Sequence, residues 1–136
     1  MEEEKILNLY AKWFNFANED YEMAEIALKN NKLLFSAFHL QQALEKLFKG
    51  LYLLYIKEQP PYIHDLLRIY NVIKGYDVFL EEERFSKLSL DLNPFYITAR
   101  YPSYKESVSN SLTIEQVGEY FKDVRDLMLW SKQKMK

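Results

Sequence analysis

The chain has 136 residues, enough for one domain with a real core and too few for two comfortable ones, so a single domain over residues 1–136 is expected. Its 18 basic and 20 acidic side chains leave a formal net charge of −2, which excludes a global positive field for RNA, DNA or an anionic membrane, so any nucleic-acid contact has to be local. The absence of cysteine excludes disulfides, thiolate nucleophiles and cysteine-built zinc sites and fits a reducing interior; with only His39 and His64 besides, neither a metal nor a cofactor is expected.

The opening "MEEEKILNLY" lacks the basic, then apolar, then small-residue order of a secretory signal, which points to the cytoplasm. The apolar run "GLYLLYI" falls far short of the ~20 residues that span a bilayer, so no membrane segment is expected. Three glycines and four prolines leave little room for the turns of an all-β domain. The composition therefore points to helices.

Along the chain, Leu7, Tyr10, Phe14, Ala17, Tyr21, Ala24 and Leu28 recur at 3-4 spacing and predict a first helix over about residues 4 to 29. "NNK" at 30 to 32 is a turn, since asparagine tolerates the left-handed conformation. The spacing restarts at Leu34, Ala37, Gln41, Leu44, Phe48, Leu51 and Tyr55, a second helix that ends before Pro60 and Pro61. A shorter third helix follows "HDLLRIYNVIKGY", with Asp65 in its first turn and Gly75 as its stop. A fourth carries Phe85, Leu88, Leu92, Phe95 and Ala99, and Asn93-Pro94 is a pair that breaks or restarts it. "RYPSYKESVSNS" reads as an exposed loop. Thr113 and Gln116 form a capping-box pattern for a fifth helix with Ile114, Val117, Phe121, Val124 and Met128 inward. The expected fold is all-α, an up-and-down antiparallel helical bundle of four long helices plus one short helix.

Several polar residues break this pattern. In a hairpin of helices 1 and 2, paired positions sum to roughly 62, which sets Asp20 and Tyr21 level with Gln41 and Gln42. Gln41 is the polar member of the core series, and Asp20 or a tyrosine hydroxyl is its natural partner, an arrangement in which Asp20 and Gln41 fix helix register. Gln42, His39, Lys46 and Lys49 form a second stripe, either a solvated face balanced by Glu45 or a strip for a phosphate-bearing ligand or a second subunit. His64 and Asp65 open helix 3, where they cap the helix or, because a helix N-terminus lowers an imidazole's pKa, offer a proton-transfer group. Arg100, beside Tyr101, Pro102 and Tyr104, suits phosphate clamping and base stacking, or complements the C-terminal dipole.

Taken together, "NEDYEMAEIAL", "FHLQQALEKLFKGLY", "YIHDLLRIY" and "ARYPSY", in this order, resemble a HEPN domain (higher eukaryote and prokaryote nucleotide-binding) over about residues 10 to 132. The marker residues fall on Asp20, Gln41, Gln42, Glu45, Lys46, Lys49, His64, Asp65, Arg100, Tyr101 and Pro102. The resemblance implies a helical bundle that dimerises and pairs with a small nucleotidyltransferase, often as toxin and antitoxin. It also implies that many relatives are metal-independent RNases using an Arg-x(4–6)-His motif shared across the dimer cleft. That motif is absent, because the first arginine is Arg68 and both histidines precede it. The leading expectation is a non-catalytic subunit that binds a nucleotide or nucleotide-bearing substrate: Gln42, Lys46, Lys49 and Arg100 meet it, Tyr101 stacks on the base, and His64 and Asp65 shape the pocket. The first alternative is a divergent endoribonuclease with His64 as general base, Arg100 stabilising the pentavalent phosphorane and Tyr101 or Tyr104 orienting the RNA. The second is a purely structural dimerisation module.

Overall fold

A computed structural model describes residues 1–98, 101, 108 and 110–135, and among them every regular element is a helix. In chain order these are α1 (Glu3–Lys29), α2 (Leu33–Ile56), α3 (Leu66–Ile73), α4 (Glu83–Leu92), α5 (Phe95–Thr98) and α6 (Ile114–Lys132), with 3-10 turns at Lys74–Tyr76, Val78–Glu81 and Gln133–Met135. None of the described helices is long and apolar enough to cross a membrane.

The α1–α2 hairpin closes at Asn31, whose φ of 58° is the left-handed conformation expected of this turn. Its register is fixed by Ser36, whose Oγ donates to the Ala24 carbonyl at 2.9 Å. α2 is the central element. α1, α3, α5 and α6 all pack on it, and Leu40, Ala43, Leu44, Leu47, Phe48 and Leu51 lie on several of its sides. α6 is started by the reciprocal Thr113–Gln116 capping box and held to α1 by Tyr10, whose hydroxyl donates to the Ser131 carbonyl at 2.8 Å.

Several expectations are refined. Counting back from Tyr10, the chain uses a spacing of four, so Ile6 is buried and Leu7 is exposed. Ile114, expected inward, is exposed in the first turn of α6, and the buried series runs through Val117, Phe121, Val124, Leu127 and Met128. α3 ends at Ile73, and Gly75 lies inside the following 3-10 turn. The fourth helix is broken, because Pro94 has no N–H to give and the chain restarts as the four-residue α5. The bundle thus has three long helices, a shorter broken one and a short α3. Asn93 stays helical at φ −52° and ψ −43°, so its side chain is released for another use. Most of the segment expected as a serine-rich loop, with Ala99, lies outside the described residues; just before α6, the Leu112 amide donates to the Val108 carbonyl.

Burial pushes the phenol of Tyr10 well above the ordinary tyrosine range and that of Tyr55 up to about 12. A group whose folded pKa is raised stabilises the fold fully below its unfolded value near 10.0 and loses that contribution as pH rises through the folded value. Tyr55 Oη also has no hydrogen-bond partner among the described residues. Tyr55→Phe is therefore expected to cost no stability at pH 7 and to make the fall in unfolding free energy above pH 10 shallower, as urea titrations at stepped pH would read. At the α2 C-cap, Lys57 has φ 65°. Lys57→Gly is expected to raise stability by roughly 1 kcal/mol by relieving the Cβ clash, visible as a higher melting temperature.

Candidate functional site

The site is built on the middle of α2. Glu45 is 5% exposed and Lys49, one turn on, is 6% exposed, with Lys49 Nζ donating to Glu45 Oε2 at 3.1 Å. An ionised pair this deep persists only if its remaining lone pairs are met. Two further donors supply that: Gln41 Nε2 reaches Glu45 Oε1 at 3.3 Å, and His64 Nδ1 lies 3.1 and 3.2 Å from the two carboxylate oxygens. Because an ionised carboxylate only accepts, His64 carries its proton on Nδ1. Nε2 of the neutral ring then holds the lone pair. The ring is fixed from another side by Tyr96 of α5, stacked at 4.0 Å between centroids and 15° between planes.

A second cluster adjoins the first. Asp20 of α1 receives Lys46 Nζ on Oδ2, while its Oδ1 lies 3.1 Å from His39 Nδ1. Gln42 Nε2 donates to Gln41 Oε1 at 2.6 Å, so an amide chain runs from Gln42 through Gln41 to Glu45.

The entry to α3 is locked separately. Asp65 is the N-cap itself, one position ahead of the expected first turn, and its Oδ1 accepts from the Arg68 amide at 3.4 Å. The released side chain of Asn93 completes the joint: Nδ2 donates to Asp65 Oδ1 at 3.2 Å and Oδ1 accepts from the Leu66 amide at 2.9 Å.

The structure thus gathers Gln41, Gln42, Lys49 and His64 around Glu45, puts Lys46 on Asp20, and leaves Asp65 as a cap. Four expectations change. Gln41 pairs with Glu45 and Gln42 in place of Asp20 or a tyrosine, because i and i+4 carboxyl and amide groups on one helix meet directly. Lys49 is no part of a solvated stripe, since it is buried beside Trp13 of α1 and paired with Glu45. His39 in that stripe is spent on Asp20. His64 lies before the α3 cap, facing a carboxylate in place of the helix dipole.

Arg100, Pro102 and Tyr104 lie outside the described residues; Tyr101 is described and exposed. The residues not foreseen are Tyr96 and Asn93. The Asn93-Pro94 pair carried the signal of the break beside which both residues lie, but not of their contacts.

Removing one partner of a buried pair strands the other, so Glu45→Ala is expected to cost about 3–5 kcal/mol in urea unfolding. Glu45→Leu combined with Lys49→Met is expected to recover most of that loss, since it leaves no buried charge.

No curated protein and no solved structure matches the chain. The family model of the HEPN domain matches residues 10–134, nearly the whole length, and the chain belongs to the HEPN domain family.

Proposed function

We propose that this HEPN domain is a non-catalytic subunit that binds a nucleotide or a nucleotide-bearing substrate and acts beside a small nucleotidyltransferase, in a toxin–antitoxin-like module in the cytoplasm. The observation that carries the reading is the gathering of Gln42, Lys46, Lys49 and His64, from α2 and the loop before α3, into two adjoining hydrogen-bonded clusters that form one polar band. In that band Lys46 and His64 are the members open to a ligand, at 28% and 46% side-chain exposure, while Lys49 stands behind them. Lys46 and Arg100 meet phosphate, Tyr101 stacks on a ring, and Asp65 holds the wall in place. An exposed apolar groove of about 320 Å³ beside the hairpin turn, with Met23, Ile26 and Phe35 on it, supports a homodimer. Calorimetry of the full chain against a nucleotide panel is expected to show saturable binding by one member. Lys46→Ala and Arg100→Ala should each weaken it about tenfold, the loss of one charge-assisted hydrogen bond. No binding by any nucleotide, with or without the nucleotidyltransferase, would remove this reading.

One observation favours a second reading. The Glu45 carboxylate fixes His64 in the tautomer whose Nε2 accepts a proton, the arrangement a general base needs. A divergent, metal-independent RNase would use His64 in this way with Arg100 on the phosphorane, and Tyr104 orienting the RNA. It requires growth arrest on expression of the chain alone, abolished in His64→Ala. Undisturbed growth with abundant folded protein would leave the binding subunit, or a structural dimerisation module, in its place.

A further inference from the structure

Beside the polar band lies a pocket that the residues discussed so far do not explain. It has a volume of about 230 Å³ and is lined by Trp13 of α1, Lys49 of α2, and Gln59, Pro60, Pro61 and Tyr62 of the loop before α3. Sites that take a whole small molecule run from about 300 Å³ upward, so this one suits a single ring system. Four of its six lining residues, Trp13, Pro60, Pro61 and Tyr62, carry rings. The two prolines stiffen the loop that carries Gln59, which lowers the ordering cost of binding, while the Tyr62 side chain is fully exposed at the pocket.

The position of Trp13 is itself set by α2. A Cβ added at Gly50 would meet Trp13 Cβ at 3.2 Å and Tyr10 Cδ1 at 3.4 Å, so glycine there lets α1 lie flush and brings the indole over the Lys49 side chain, with Nζ 6.0 Å from the ring centroid. Lys49 therefore forms a cationic floor. Two hydrogen bonds, Lys49 to Glu45 and Glu45 to His64, link that floor to the exposed imidazole, and Tyr62 precedes His64 by two residues on the same loop.

We propose that this pocket is the base subsite of the nucleotide: the heterocycle slides between Trp13 and the Pro60–Pro61 segment, Gln59 reads its edge, and the exposed Tyr62 ring folds onto it when it is bound. An indole suits any base, because every base has a π-face, while an amide with one donor and one acceptor side discriminates among edges. The proposal rests on the nucleotide-binding reading and gives it a location: base over Lys49, phosphate toward His64 and Lys46.

Trp13 and Trp130 are the two tryptophans of the chain, so Trp130→Phe, which keeps a ring against Phe79, leaves Trp13 as the sole indole reporter. That protein would be titrated with AMP, GMP, CMP and UMP and, as a probe without a base, ribose 5-phosphate. Saturable quenching of Trp13 by at least one nucleotide and none by ribose 5-phosphate is expected. By calorimetry, Trp13→Ala and the loop variant Gln59→Ala, each checked for an unchanged circular dichroism spectrum, should weaken nucleotide binding about tenfold. Nucleotide binding with Trp13 emission unmoved and Gln59→Ala at wild-type affinity would overturn the base subsite while leaving the binding reading intact. Equal affinity for nucleotide and ribose 5-phosphate would overturn it too. If neither probe binds by calorimetry, the nucleotide reading fails and the subsite fails with it.

Discussion

Glu45 sits in the middle of the most buried helix with an ionised carboxylate, and a charge there is tolerated only while every lone pair is met. Lys49, Gln41 and His64 meet them, and each constrains a different level of the fold: Lys49 the rotamer of its own helix, Gln41 the amide chain, and His64 the path of the loop before α3. An apolar residue at 45 would pack as well. It would not, however, specify where residues 58–65 run, and so would not deliver His64 and Asp65 to the same side of the bundle. The group that costs most to bury is thereby the one that orients the site.

Much of the fold was legible in the chain because helix-period patterns, prolines and caps are local signals. The hairpin turn at Asn31, the Thr113–Gln116 box and the break at Pro94 all follow from residues adjacent in sequence. What failed locally was the phase at the ends of the pattern, at Leu7 and Ile114, where a 3-4 repeat offers two registers and tertiary cover chooses between them. The polar residues were legible as a set but not as pairs. Spacing announced that Gln41, Gln42, Lys46 and Lys49 share α2; whether Lys49 lies under α1 depends on the close approach that Gly50 allows, which no local pattern encodes. Tyr96 is harder still, because its contact with His64 joins two segments far apart in sequence across a helix break.

The two carboxylates of the band do different things. Asp20 comes from α1 and binds Lys46 and His39 across the hairpin, so it reports the register of two long helices. Glu45 binds within α2 and to the following loop. Family membership and the absence of the Arg-x(4–6)-His motif can therefore coexist without contradiction, since Asp20, Gln41, Gln42, Glu45, Lys46, Lys49 and His64 secure one another within the fold.

Asn93 sits at the crossing of two lines of force. One amide holds the start of α3, just after His64, and belongs to the break from which α5 and Tyr96 depart. The imidazole thus lies beside this joint, its Nδ1 held by Glu45 of α2 and its face stacked on Tyr96. Since Tyr96 belongs to the short helix that follows the break, the orientation of the His64 ring depends on where that helix departs from Asn93 and Pro94.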